Sequence, residues 1–427
     1  MTGPRTSPGA GRPVSNGRWS SGRLVVLFLV LLGVLSAGGT VVVMSSGSVT
    51  GPRDALPAAQ PDGEGEGPVD SGSGSGEEAR GRSPAGAGAA ASLRADAAAR
   101  FGLPDETIGG VSFVAPGRPI GGEALDPVAR VGAGWIAVVP YAFLLPGDGG
   151  LRFDPDRRMW GEGPEGIRET VRLARERGQR VLMKPHVWTR GGWIGDYVAD
   201  SDEGWERFEE GYRTYLLTFA HLADSLDLEM LAVGTEKDSS ARLRPEFWRG
   251  LIAEVREIYD GPLTYAANWD RWEEIPFWDE LDYIGVDAYF PLSDADTPGV
   301  EELLRAWRPV RESLRQGSER WGKPVLFAEY GYRSIDGAAG RQWELPPERT
   351  RGEGAEEPTP NMQAQVNAYE ALFQAVWNEP WFAGGFLWKW FPDDTRWGER
   401  PNDDYTPQHK PVEAVIRNWY GGGTAGG

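Results

Sequence analysis

Short apolar runs recur along the chain after residue 100, and polar loops separate them. The runs lack regular alternation of apolar and polar residues, which is typical of strands covered on both faces. They are Val111–Val114, Trp135–Pro140, Val181–Pro185, Met230–Gly234, Leu263–Ala267, Tyr283–Val286, Val325–Ala328 and Gly385–Trp388. The pattern therefore predicts eight buried strands, most of them followed by a helix.

Three of the segments between these runs have a clear helical period. We predict helices over Gly166–Arg177, Pro245–Tyr259 and Met362–Trp377, because each places apolar residues on one face. Gly178 follows the first helix, where glycine commonly caps a C-terminus. The fifth and sixth runs are close together and leave room only for a short helix around Trp272–Glu280.

Eight strand–helix units fit a (β/α)8 TIM barrel, which uses about 250 residues before insertions. The alternative is an open, doubly wound sheet. That fold would predict a glycine-rich nucleotide turn after the first strand, and Phe113–Gly122 contains no G-x-G-x-x-G motif. We therefore predict a single barrel domain over residues 101–427.

The N-terminal hundred residues have a different character. Residues 24–44 form an uncharged apolar run of 21 residues, long enough to cross about 30 Å of hydrocarbon. Residues 1–23 contain four arginines and no acid, which predicts a cytoplasmic N-terminus. The alternative is a signal peptide cleaved near Ser36-Ala37-Gly38. Either way the remainder is predicted to be exported, as a membrane-anchored or a secreted protein.

Composition defines a linker and excludes several classes of function. Residues 45–100 are rich in Gly, Ser, Ala and Pro, which predicts a disordered tether. The chain has no cysteine and three histidines, so a thiolate or histidine-rich metal centre is not expected. The net charge of −19 argues against a nucleic-acid partner and is typical of a solvated acidic surface. No cofactor motif is visible, and the oligomeric state is left open.

Two predicted strands end in a glutamate. Glu236 follows the fourth run and Glu329 follows the seventh, so both carboxyl groups should face the mouth of the barrel. Two facing carboxylates are what glycosidic bond cleavage requires, since one protonates the leaving oxygen while the other attacks or activates water. The alternative for either residue is a structural ion pair with a neighbour such as Lys184 or Lys389.

Aromatic and polar residues cluster at the same strand ends. Sugar-binding sites use aromatic rings for stacking and a few polar groups for the hydroxyls. We therefore predict substrate contacts at His186, Trp188, Asn268, Trp269, Asp287, Tyr289, Trp388 and Trp390. The acidic loop 337–360 is either a disordered surface loop or a flap that brings Trp343 to the sugar.

Several motifs together resemble clan A glycoside hydrolases, and most closely family 113, whose members include endo-β-1,4-mannanases. The resemblance covers roughly Ile108 to Tyr420. The motifs that carry it are Met230–Glu236, Lys184–Trp188, Val286–Tyr289, Phe327–Gly331 and Phe386–Trp390.

The resemblance implies a retaining double displacement on a β-glycan, most directly β-1,4-mannan. It makes Glu236 the acid/base and Glu329 the nucleophile. Most clan members have Asn before the acid/base, where this chain has Thr235, which affects the expected contact to the sugar 2-hydroxyl. The acid should have a raised pKa, and the nucleophile needs hydrogen-bond donors such as Tyr289 or Arg333.

Three other functions stay open at this point. The enzyme could cleave another β-glycan, such as a glucan or a cell-wall polymer. A catalytically silent carbohydrate-binding barrel would keep the aromatic residues, although both glutamates are present. A Schiff-base lyase using Lys184 or Lys389 is also conceivable, since barrels support many chemistries.

Overall fold

The computed structural model describes residues 107–147, 149–153, 159–190, 192–344, 359–393 and 403–421. The predicted cytoplasmic segment 1–23, the apolar segment 24–44 and the linker 45–100 lie outside these ranges. Among the helices of the described part, none has the length and apolar character that a bilayer crossing needs.

The described residues form eleven strands and eight α-helices. The strands are β1 (Ile108–Phe113), β2 (Trp135–Val138), β3 (Tyr141–Leu144), β4 (Leu151–Arg152), β5 (Arg180–Met183), β6 (His186–Thr189), β7 (Met230–Thr235), β8 (Leu263–Asn268), β9 (Ile284–Asp287), β10 (Val325–Tyr330) and β11 (Phe382–Trp390). The helices are α1 (Asp126–Arg130), α2 (Pro164–Arg175), α3 (Asp202–Ser225), α4 (Asp238–Leu243), α5 (Pro245–Arg256), α6 (Val300–Trp321), α7 (Met362–Val376) and α8 (Val412–Tyr420).

Eight of the strands close into a parallel barrel in the order β1-β11-β10-β9-β8-β7-β5-β2. β1 pairs in parallel with both β11 and β2, so the sheet has no free edge there. Each predicted apolar run corresponds to one barrel strand. The predicted (β/α)8 barrel is therefore confirmed, and the doubly wound alternative is wrong because the sheet closes.

Two hydrophobic layers hold the barrel together. Inside it, alternate strand residues such as Trp135, Ala137 and Leu182 form one buried cluster. Gly110 makes room there, because a Cβ at that position would lie 2.4 Å from the ring of Phe386. The residues of opposite parity pack outward against the helices in a larger cluster. This double burial explains why the strands read as continuous apolar runs.

The three predicted helices are present, and their ends lie within three residues of the predicted ones. α2 begins at Pro164, which suits the first helical position, and the chain leaves it through Gly178 at φ 72°. The short helix predicted around Trp272–Glu280 is two single turns of 3-10 helix, Trp272–Glu274 and Trp278–Glu280.

A small second sheet sits at the carboxyl ends of two barrel strands. β3 and β6 follow β2 and β5 after breaks at Pro140 and Pro185, and they pair in parallel, with β4 added antiparallel. His186 lies opposite Tyr141 in this sheet. The sheet therefore carries residues 186–189 past the end of the barrel strand.

Candidate active site

The two strand-end glutamates both lie at the carboxyl end of the barrel. Glu236 directly follows β7, and Glu329 is the penultimate residue of β10. β8 and β9 separate these strands in the barrel. The side chains are almost fully buried, since Glu236 is 8% exposed and Glu329 is 3% exposed. Burial of two carboxyl groups is costly unless each is paired, hydrogen-bonded or protonated.

Glu329 is held by donors on both of its oxygens. Lys184, which is fully buried, donates from Nζ to Oε1 at 2.6 Å and to the carbonyl of Ala328 at 3.1 Å. The Tyr289 hydroxyl donates to Oε2 at 2.7 Å. Nε2 of His186 lies 3.4 Å from Oε1. These contacts fix the orientation of the carboxylate.

The same contacts determine its charge. Burial alone raises the pKa of Glu329, but the Lys184 ammonium and the hydrogen bonds from His186 and Lys184 outweigh it and lower the pKa to about 2. Burial lowers the pKa of His186 to about 4, so the imidazole is neutral near pH 7. Glu329 is therefore an ionised carboxylate near pH 7.

Glu236 is in the opposite state. Burial and then the negative charge of Glu329 raise its pKa to about 8. The indole N–H of Trp193 donates to Oε2 at 2.7 Å, which opposes part of that rise. Near pH 7 this carboxyl group holds a proton beside an ionised one, which is the division that acid-assisted nucleophilic displacement needs.

His186, Tyr289 and Trp388 lie around Glu329. The rings of His186 and Trp388 stack at 5.9 Å between centroids and 10° between planes. Lys184 Nζ lies 5.3 Å from the centroid of the Trp388 ring. The structure thus brings three of the predicted substrate-contacting residues to one place, next to the candidate nucleophile.

Asn268 and Trp269 lie one strand away, after β8. Asn268 is bound locally, because its Nδ2 donates to Asp270 at 3.0 Å and its Oδ1 accepts from the backbone N–H of Trp269 at 3.0 Å. The ring of Trp269 lies 5.9 Å from that of Trp343, which comes from the described part of the loop 337–360. The two indoles are partly exposed. Residues 345–358 of that loop lie outside the described ranges.

Two predicted contact residues have almost no exposed surface. Asp287 ends β9, is fully buried and is paired in register with Glu329. Trp390 is 1% exposed and packs in the core between strands and helices. The expectation that these two side chains contact the sugar stays a prediction.

Thr235, Trp188 and Arg333 have other surroundings. The Thr235 hydroxyl donates to the carbonyl of Pro185 at 3.4 Å, and Trp188 is partly exposed on β6. Arg333 is buried, and it binds Asp403 through an ion pair of 3.1 Å and the carbonyl of Gln342 at 3.2 Å. Of the two donors proposed for the nucleophile, Tyr289 is the one whose hydrogen bond to Glu329 is described.

Sequence reasoning did not find Trp193, Tyr141 and Tyr405. Tyr141 on β3 packs edge-on against the His186 ring at 5.4 Å. Tyr405 packs edge-on against Tyr289 at 5.9 Å, and its pKa is raised first by burial and also by the glutamate charges. These residues lie in loops or in the small sheet, and no local pattern marks them.

Among the described residues, no group of His, Asp and Glu has the arrangement of a metal site. A protonated Glu236 beside an ionised Glu329 is an arrangement that can support proton transfer from one carboxyl group and nucleophilic attack by the other.

Comparisons with known proteins agree with this geometry. The model of Glycoside Hydrolase Family 113 matches residues 127–410. A solved GH113 β-mannanase from Alicyclobacillus acidocaldarius, in complex with ManMIm, is 27% identical, with a TM-score of 0.61 over 75% of this chain and 98% of that one. Another GH113 β-1,4-mannanase structure is 26% identical, with a TM-score of 0.61 over 74% of this chain and 99% of that one. No match is found among curated proteins.

Proposed function

Because this chain belongs to glycoside hydrolase family 113, we propose that it hydrolyses β-1,4-mannan with retention of anomeric configuration. The resemblance to this family predicted from the sequence is confirmed. The observation that carries the proposed mechanism is the pairing of an ionised Glu329, bound by Lys184 and Tyr289, with a protonated Glu236. The GH113 structures at 25% to 27% identity support the choice of substrate, because they are described as β-mannanases.

In the first step Glu329 Oε attacks the anomeric carbon while Glu236 gives its proton to the glycosidic oxygen. The bond between the anomeric carbon and that oxygen breaks, and a glycosyl ester of Glu329 forms. In the second step Glu236, now a carboxylate, takes a proton from water. The water oxygen attacks the anomeric carbon, the ester breaks, and Glu329 is released as a carboxylate.

The electrostatic coupling of the two glutamates suits both steps. The charge of Glu329 is one cause of the raised pKa of Glu236, after burial. Ester formation removes that charge, so the pKa of Glu236 falls when the residue must act as a base. The acid of the first step thereby becomes the base of the second without a change of position.

We assign the sugar at the cleavage point to the stacked Trp388 and His186 beside Glu329. Trp269 and Trp343 form a second aromatic surface, suited to a further sugar of the chain. Two such surfaces fit a polymer better than a single glycoside. Trp188 and Asn268 remain proposed contacts at neighbouring strand ends.

The test is a pair of alanine variants. Glu329→Ala should abolish hydrolysis of mannan, and azide should restore turnover of an activated aryl β-mannoside, with a glycosyl azide of inverted configuration as product. Glu236→Ala should retain much more activity on aryl glycosides with good leaving groups than on mannan. Activity of Glu329→Ala near that of wild type would refute its role as nucleophile.

A panel of polysaccharides tests the substrate separately. Mannan, glucomannan, xylan and β-glucan should be assayed at equal mass concentration with the wild-type protein and with Glu329→Ala as the blank. We expect the highest rate on mannan. A higher rate on β-glucan or xylan would reject mannan while leaving the two-glutamate mechanism in place.

We further propose that the barrel acts outside the cytoplasm, held by residues 24–44 or released by cleavage near residues 36–38. The apolar run and the four preceding arginines support this proposal. Fractionation of cells that express the full chain, with N-terminal sequencing of the recovered protein, distinguishes the two forms. Recovery of the intact chain in the cytoplasmic fraction would reject both.

A further inference from the structure

The backbone of Glu236 has an unusual conformation. Its φ is +51°, in the left-handed region, which is unfavourable for a residue with a Cβ. Such a conformation persists only where the surrounding structure holds it. One restraint is the backbone N–H of Glu236, which donates to the carbonyl of Ala266 on β8 at 2.7 Å. The residues that follow Glu236 have a second restraint.

That restraint is the phenol of Tyr265, a fully buried residue of β8. The hydroxyl oxygen accepts from the backbone N–H of Lys237 at 2.7 Å, and the hydroxyl donates to Oδ1 of Asp238 at 3.2 Å. The Tyr265 hydroxyl therefore binds both residues that follow Glu236, at the point where α4 begins. It also satisfies a backbone N–H that the helix cannot pair.

The strand before Glu236 leaves room for this ring. A Cβ at Gly234 would lie 2.7 Å from the Tyr265 ring and 2.9 Å from Trp248. Lys237 adds a restraint on the other side, because its Nζ donates to the carbonyl of Thr235 at 3.1 Å. The residues before and after Glu236 are thus both fixed, and Glu236 is held between them.

We infer that Tyr265 is a positioning residue for the acid/base, whose hydroxyl, through Lys237 and Asp238, keeps Glu236 in its left-handed conformation. The inference rests on the proposed function of Glu236. Tyr265 is fully buried and bonds the backbone beyond Glu236, so its effect on the reaction passes through the placement of the Glu236 carboxyl group. A displacement of about 1 Å at a reacting group can cost about 100-fold in rate.

The decisive variant is Tyr265→Phe, which removes the hydroxyl and keeps the ring. We expect kcat/KM on mannan oligosaccharides to fall by about 10- to 100-fold. On a dinitrophenyl β-mannoside with azide present the loss should stay within about threefold, because neither step then needs Glu236. In a crystal structure of the variant, φ of Glu236 should leave the left-handed region.

Tyr212→Phe is the matched control. Tyr212 is equally buried, and its hydroxyl donates to the carbonyl of Val233 at 2.8 Å, so the variant loses one similar hydrogen bond. We expect a comparable drop in melting temperature and a change in rate that does not depend on the leaving group. The comparison separates positioning of Glu236 from general damage to the core.

Asp238 provides an independent variant should Tyr265→Phe fold poorly. Asp238→Ala removes the acceptor of the Tyr265 hydroxyl, so its loss of rate should depend on the leaving group as in Tyr265→Phe. Asp238→Asn keeps an acceptor and should retain most of the activity on mannan. Equal losses on both substrates in Tyr265→Phe and Asp238→Ala would overturn the inference. So would an unchanged φ of Glu236 in either crystal structure. Absence of wild-type activity on every β-glycoside would instead refute the proposed function, while φ still decides whether Tyr265 holds the backbone.

Discussion

Apart from the two glutamates, Lys184 is the residue whose replacement should change the active site most. Its ammonium is the fully buried partner of Glu329 at 2.6 Å. Lys184→Met keeps a side chain of similar length and removes the charge and the hydrogen bonds. Burial, which raises the pKa of Glu329, would then act without that opposing cation. We therefore expect the pKa of Glu329 to rise from about 2 to above its ordinary 4.5.

The expected loss of stability follows from the difference between the ordinary and the lowered pKa of Glu329. Between 4.5 and about 2, at about 1.4 kcal/mol per pKa unit, the contacts of Glu329 stabilise the fold by about 3–4 kcal/mol. Since the folded-state pKa is the lower one, this stabilisation is present above about pH 4.5 and is lost as the pH falls towards 2. Breaking a buried ion pair from one side costs about 3–5 kcal/mol, which agrees in size.

The assay is kcat/KM against pH on a soluble aryl β-mannoside, with thermal unfolding measured in parallel. In Lys184→Met the acid limb should move up by more than about two pH units. Lys184 also lowers the pKa of Glu236, so the basic limb should move slightly up as well. Lys410→Met is the control, because it breaks another buried lysine ion pair, with Asp404 at 3.3 Å. A folded Lys184→Met with the acid limb of wild type would refute the reasoning.

Three further predictions concern single side chains of the site. Burial and the charge of Glu329 raise the pKa of Glu236, and the hydrogen bond from the Trp193 indole opposes that rise. Trp193→Phe should therefore move the basic limb of the pH profile of kcat/KM up by about one pH unit. A downward shift would contradict this. Burial and then the charge of Glu329 raise the pKa of Asp287 well above its ordinary value, which favours its neutral form. We therefore expect Asp287→Asn to leave both limbs and the melting temperature nearly unchanged; a lower basic limb would show that Asp287 is charged. Trp343→Ala should raise KM for mannan and leave KM for an aryl mannoside unchanged. The control is Trp321→Ala, which replaces a tryptophan at the end of α6. Equal changes of KM in both variants would show that Trp343 is not part of the substrate surface.

The barrel could be predicted because its strands are buried on both faces, so each one appears as an apolar run. The small sheet could not. Its strands β3 and β6 are four residues long, and they follow Pro140 and Pro185, which end the predicted runs. Only the closed barrel brings these short segments side by side.

Helix α6 could not be predicted in full either, because it contains Pro309, and proline in a sequence indicates a helix end.

The two tryptophans near the end of β11 show where strand periodicity fails. Trp388 and Trp390 are two residues apart, so a regular strand would place both on the face towards the mouth. The pairing of β1 with β11 shifts, since Val111 lies opposite Leu387 but Phe113 lies opposite Trp390. This irregularity breaks the alternation. Trp390 then enters the core while Trp388 stays beside Glu329, and no feature of the sequence marks the shift.

The glutamates could be predicted from their strand ends, but their donors depend on tertiary structure. Trp193 reaches Glu236 from a loop after β6, so its role needs the path of residues 190–197. Lys184 entered the sequence analysis as a partner in a structural ion pair, as a conceivable Schiff-base lysine and as part of a family motif, but not as the cation that keeps the nucleophile ionised. The ion pair with Glu329 is present, yet it does not compete with catalysis, because a nucleophile must be kept ionised.

The buried charges near the mouth bear on which glutamate takes which proposed role. They include four carboxyl groups, of Glu236, Asp238, Asp287 and Glu329, and the amino groups of Lys184 and Lys237. Burial lowers the pKa of Lys237 to about 7 and raises the pKa of Glu236 to about 8 and of Asp238 to about 7. Of these four carboxylates, the one that forms a described ion pair with Lys184 is Glu329. One direct cation can keep one carboxylate ionised in so dry a place, and the others hold protons more readily. The position of the Lys184 ammonium beside Glu329 therefore supports the proposed roles of Glu329 as nucleophile and Glu236 as acid.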